Sequence, residues 1–246
     1  NANISFEMNA EGGHVNASIQ KGALQINRIL EDPRIPLDKL QAAIKWQHQK
    51  NELLVPEWQL SLSNADLTGD FKGSWKPSPL PGSLGVLDLQ GNIQQGDASR
   101  VHRYLPLNIS QSVRHYVRDS VLKGGLQNVG VKIKGDLKQL PFANPKEGEF
   151  RFAGKVKELQ YAYVPTASAN TANRNASSEG IWPIMDSVNG DIVFDRLNFK
   201  VNGASGKWGN MPFTQIKAEI PSLKGPVVVS VQGESKASAS VVLNEL

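Results

Sequence analysis

Apolar and polar side chains alternate with a period of two along most of the 246 residues. Such alternation predicts β-strands with one apolar and one polar face. Ile4, Phe6 and Met8 form the first set, and Val15, Ala17 and Ile19 the second. Leu24, Ile26 and Arg28 follow a turn predicted at Lys21-Gly22. Ala42, Ile44 and Trp46 share a face between Leu40 and His48. Trp58, Leu60 and Leu62 face away from Gln59, Ser61 and Ser63. Leu67, Gly69, Phe71, Gly73 and Trp75 oppose Thr68, Asp70, Lys72 and Ser74 in the same way. After a proline-rich bend, "KPSPLPGSLG", Leu87, Leu89, Gly91 and Ile93 close this first group.

The period then changes. "GDASRVHRYLPLNISQSVRHYVRDSVLKGG" predicts two short helices. Asp97 suits the N-cap of the first, since its carboxylate can accept from free backbone N–H groups. Pro106 ends it, and Ser110 caps the second. Val113, Tyr116, Val117 and Val121 fall at helical spacing. Lys123 and Gly124 suit the last turn and the left-handed residue after it. Alternation resumes with Val129, Val131, Ile133, Gly135 and Leu137 set between lysines and Asp136. Phe150, Phe152, Gly154 and Val156 follow, then Leu159, Tyr161 and Tyr163. Residues 165–180 are small and polar and predict a flexible loop. Further strands carry Val188, Gly190, Ile192 and Phe194; Leu197, Phe199 and Val201 beyond a turn at Asp195-Arg196; Ile216, Ala218 and Ile220; and Val227, Val229 and Val231. The expected organisation is a β-unit over 1–96, a helical crossover over 97–123 and a second β-unit over 124–246.

Alternation does not reveal what the apolar faces look at. Two sheets can press them together in a closed sandwich. Alternatively, one curled sheet can leave them lining a groove. Glycines at Gly69, Gly73, Gly91, Gly135, Gly154 and Gly190 fall on the apolar side, where they suit strong bending or close approach. Only the 97–123 segment is helical, so covering elements are scarce. Trp46, Trp58, Phe71 and Trp75 fit either a closed interior or a groove.

Composition narrows the chemistry. The chain is 39% hydrophobic with a mean hydropathy of −0.34 and no cysteine. Thiolate catalysis, disulfides and cysteine-ligated zinc are therefore excluded. A net charge of +4, spread along the chain, falls short of the basic stripe that nucleic acid needs. No run reaches the ~18–20 apolar residues of a membrane span. The chain opens without Met and already in a strand pattern, so we expect a piece of a longer protein. His14, His48, His102 and His115 share no metal-ligand spacing. Asp66 and Asp70 are expected on one strand face as two solvated carboxylates. "GDASR" lacks the frame of a nucleophile elbow, and "GGLQNVG" follows a helix instead of opening one. Neither cofactor nor metal is expected, and no enzymatic activity.

The order of these segments resembles the YhdP-type AsmA-like proteins of Gram-negative bacteria. The resemblance rests on Tyr104-Leu105-Pro106, on the helix before Gly124, and on the strand carrying Gly135 followed by Leu140-Pro141-Phe142. It continues with "GEFRFAGKVKELQYAY", "WPIMDSVNGDIVFDRLNFKV", "TQIKAEIPSLKGPVVVSVQG" and the earlier "ALQINRILEDPRIPLDKLQAAIKWQHQ". The polar insert at 165–180 departs from it. The resemblance implies an extended antiparallel sheet curled into a U-shaped hydrophobic groove, with a helical crossover insert. It implies an internal section of a periplasmic bridge whose full chain is anchored in the inner membrane. Such a bridge conducts phospholipid toward the outer membrane, with acyl chains and flanking segments of the same chain as partners. The groove-lining residues would be Ile44, Trp46, Trp58, Leu60, Leu62, Leu67, Phe71, Trp75, Leu87, Leu89, Ile93, Val129, Val131, Ile133, Leu137, Phe150, Phe152, Val156, Ile192, Phe194, Phe199, Val201, Ile216, Ile220, Val227 and Val229. Tyr104, Tyr116 and Val117 are expected to dock the helices on the sheet.

Overall fold

The computed structural model describes the chain except for residues 108, 164, 166–183, 225–227 and 237–246. The strands are β1 (Ala2–Asn9), β2 (Gly12–Gln25), β3 (Arg34–Gln49), β4 (Glu52–Ser63), β5 (Leu67–Lys76), β6 (Val86–Asp97), β7 (Val121–Asp136), β8 (Gly148–Tyr161), β9 (Met185–Asp195), β10 (Asn198–Trp208), β11 (Met211–Ile220) and β12 (Ser230–Ser235). Between β6 and β7 lie a 3-10 helix, Ala98–Tyr104, and the helix α1 (Gln111–Ser120).

All 12 strands form one sheet in chain order, each antiparallel to the next. β1 and β12 stay unpaired with each other, so the sheet does not close into a barrel, and among the described residues no second sheet packs on it. The sheet runs unbroken past the crossover, because β6 pairs directly with β7 from Val86↔Asp136 to Asp97↔Gly125. Most sequential strands are joined by short connections that bring them side by side, and side-chain parity then fixes which face each residue joins.

That parity gathers the apolar residues on one side. They are mostly half-buried, whereas their polar neighbours along the same strands are mostly exposed, as on β3 and β5. Among the described residues no second layer covers the apolar side. One packed cluster is formed by Leu30, Ile35, Leu37 and Leu40, with Ile19, Leu24, Ile26, Ala42, Leu60 and Tyr104 against them. Other buried apolar residues, Phe142, Phe150, Val129 and Val156 among them, lie farther along the sheet.

Several expectations need correction. Lys21-Gly22 is not a turn: β2 continues through it. Lys21 has φ 55, and opposite it Asp38 and Lys39 are both exposed. The alternation changes phase there, so that Leu37 and Ile35 join Leu40 in the core. The helix α1 ends at Ser120, and its C-cap is Val121. Gly124 instead lies inside β7 with φ 134, where a Cβ would stand 2.7 Å from the backbone of Leu159. Leu137 belongs to a 3-10 turn, Leu137–Gln139, because Asp136 ends β7 by capping the backbone N–H of Lys138. The loop expected at 165–180 lies, apart from Pro165, outside the described residues.

Candidate functional site: an apolar groove with one clasped rim

The strand registers build continuous apolar rows across the sheet. One runs Phe6, Val15, Ile44, Trp58, Gly73, Leu89, Ile133, Phe150. The next runs Ile4, Ala17, Ala42, Leu60, Phe71, Gly91, Val131, Phe152, Phe194, Phe199, Ile220. A third holds Ile19, Leu40, Leu62, Gly69, Ile93 and Val129. None of these positions carries a charge. Leu67 pairs with Gly96 beyond a bulge, and Trp75 with Leu87 and Val55. Val156 follows Leu126; Ile192 faces Val201; Ile216 faces Ala204. Trp46 lies over Gly13.

Most expected lining residues thus share one face. Val129, Val131, Phe150 and Val156 sit deepest, 4–7% exposed, and Phe150 packs edge-on against Phe152 and Phe194 at 5.1 and 5.7 Å. Leu137 leaves the rows with its 3-10 turn. Val229 precedes β12 and is outside any strand. Val227 is outside the described residues. At the two sheet edges the apolar face is most open: Phe6 is 65% and Val231 58% exposed.

The opposite face is charged and self-neutralising. Lys45–Glu57, Lys134–Asp88, Lys132–Glu149, Arg151–Asp195, Lys155–Asp191 and Lys200–Glu219 pair across neighbouring strands at 2.6–3.1 Å. Asp70 belongs to this face, accepting from Ser61 and Gln94. These pairs are solvent-exposed and contribute little individually. Their effect is on solubility and register.

Strand ends form two rims. The crossover runs along one, stitching the β2–β3 loop, the β4–β5 turn and the end of β8 together. Leu30 bridges Pro106, and Leu107 donates its N–H to the Ile29 carbonyl at 2.9 Å. Arg103 donates to Asp66 at 2.6 Å and to Asp32 at 2.9 Å. The Tyr104 hydroxyl donates to Asp66 at 3.1 Å and accepts from Asn64 at 3.0 Å. Burial pushes that phenol up to about 12. The buried guanidinium of Arg114 reaches Glu31 at 3.0 Å and also donates to the Leu107 and Ile109 carbonyls. The hydrogen bond from Arg114, then that with His115, holds the Glu31 carboxyl below its ordinary range. Arg103 does the same for Asp32, helped by the Arg34 backbone N–H. Farther along, the Tyr116 and Tyr161 hydroxyls meet at 2.6 Å. Burial, together with Tyr116, raises the pKa of Tyr161.

Asp66 is therefore neither solvated nor on the strand with Asp70. It precedes β5, is 7% exposed, and joins residues 37 and 38 positions away. Periodicity carries no signal for such a contact. Among the described residues no group of three His, Cys, Asp or Glu could hold a metal ion, and no helix is long and apolar enough to cross a membrane.

No curated protein and no solved structure matches this chain. The YhdP protein family matches over residues 1–245. With nearly the full length covered, and the strand–crossover–strand order in place, the chain belongs to the YhdP family.

Proposed function

We propose that this segment is a section of a periplasmic bridge that conducts phospholipid between inner and outer membranes, holding acyl chains on the apolar face without catalysis. Family membership suggests an envelope lipid-transport role. The observation that carries the reading is the charge-free apolar surface running through adjacent strands of an open sheet.

The physics is simple. Each methylene left in water costs about 0.8 kcal/mol, so a tail of about fifteen costs on the order of 10 kcal/mol to carry across water. A continuous apolar floor offsets most of that cost and, being non-directional, lets the chain slide. At ~4.8 Å per strand the sheet is roughly 55 Å long. Polar headgroups remain in the open slot, wetted by solvent.

The test is to purify the protein, extract it, and identify bound phospholipid by mass spectrometry. Ile44→Asp and Ile133→Asp, at half-buried floor positions, are expected to lower bound lipid at least about ten-fold while costing only about 1–3 kcal/mol of stability. Val131→Asp is a poor probe, since at 7% exposure it buries an unpaired charge and unfolds the chain. Protein that carries no lipid and takes none from labelled vesicles would overturn the proposal.

A further inference from the structure

On the floor between β2 and β6, aromatic rings lie over glycines of the same apolar face. A Cβ on Gly13 would stand 2.5 Å from Trp46 Cζ2, and one on Gly73 2.7 Å from Trp58 Cζ2. A Cβ on Gly91 would collide with Cδ1 of Phe71, and one on Gly69 would stand 2.9 Å from Cε2 of the same ring. Gly69 and Gly91 lie on adjacent strands, so opposite edges of the Phe71 ring rest on two different backbones. Trp46, Trp58 and Phe71 are all half-buried. Each ring thus has an edge seated against a glycine of the apolar face. At Gly91 the ring is the first atom group an added Cβ would meet, with the Asp70 carbonyl oxygen next at 2.9 Å; at Gly73 and Gly13 the backbone oxygens of Asp88 and Glu7 are met at least as closely as the ring.

We infer that Trp46, Trp58 and Phe71, seated on Gly13, Gly73, Gly69 and Gly91, form a flat aromatic track that contacts an unbranched alkyl chain lying along the groove. This inference rests on the groove reading above and names the residues and the chain shape it favours. The track crosses five strands, about 20 Å at ~4.8 Å per spacing. Ring faces meet C–H groups by dispersion at any position along their surface, so contact continues as a linear chain moves. A floor of low relief suits a thin unbranched chain. Bulky branched or fused-ring hydrocarbons gain nothing from it. The glycines act as positioning residues by setting how far the rings protrude.

The chain has five tryptophans, which permits a direct measurement. Single-tryptophan variants of the whole chain retain either Trp58 or Trp208, the latter at the end of β10, with Phe at the other four positions. Each is titrated with 9,10-dibromostearate, with unbrominated stearate as control. Bromine quenches an indole only at contact range. Trp58 is expected to lose at least twice the fraction of emission that Trp208 loses. Equal quenching at both, or quenching of Trp208 alone, would overturn the track while leaving groove binding intact. Absence of any stearate binding would overturn the groove reading and this inference with it.

A second variant tests the seat without altering any tryptophan. Gly91→Ala is expected to weaken stearate binding at least five-fold with its circular dichroism unchanged. Adding Phe71→Leu, which removes the displaced ring together with its own contact to the chain, is expected to recover only part of that loss. Wild-type affinity in Gly91→Ala would overturn the assigned role of the glycines.

Discussion

Asp66 shows how one side chain fixes the geometry of a rim. Its carboxylate is almost wholly shielded and takes bonds from Arg103 and Tyr104, both on the crossover. Arg103 in turn spans to Asp32, so a single guanidinium joins two separate turns to the helical segment. Removing one partner of a shielded pair leaves the other uncompensated, which costs about 3 kcal/mol or more. Asp66→Ala is therefore expected to lower stability by about 3 kcal/mol in urea unfolding. Asp70→Ala, on the exposed face, is expected to lower it by less than about 1 kcal/mol. Equal losses for the two would show that the clasp bears no special share.

At the scale of elements, Asp136 ends β7, caps the following 3-10 turn, and accepts from Ser78 and Ser83 in the loop before β6. Burial pushes its carboxyl up, but the hydrogen bonds from Ser78, Ser83 and Lys138 outweigh this and hold it below the usual range. A depressed carboxyl stabilises the fold above its unfolded value, near pH 4. That stabilisation is lost as pH falls through the lower folded value. Asp136→Asn is thus expected to be less stable than wild type at pH 7, by about 1 kcal/mol. The gap should narrow between pH 4 and pH 2, as followed by thermal melts. An unchanged gap at pH 2 would argue against the carboxylate's role. These same elements mark what sequence could reveal. The alternating runs at Trp58–Leu62, Leu67–Trp75 and Val129–Gly135 are strands with the faces expected, because parity in a hairpin meander is purely local. Lys21 broke the rule: an extended strand changed phase through one left-handed residue, which alternation cannot encode. Leu137 fitted the alternation but lies past the strand's end, because Asp136 found a capping role. The ring seats had only an indirect signal, since glycines at alternate positions mark both bending and close approach.

For the molecule as a whole, the contrast lies between the strands the crossover clasps and those beyond it. The crossover reaches from the β2–β3 loop to β8, whereas among the described residues none of these bonds reaches β9 to β12. Amide hydrogen exchange is therefore expected to be slower in β3 to β8 than in β9 to β12, by about ten-fold or more at matched burial. Uniform protection along the sheet would refute it. The brace gives the strip uneven stiffness: β3 to β8 behave as a splinted plank, and β9 to β12 as a leaf spring. Any bending of the sheet then concentrates beyond β8.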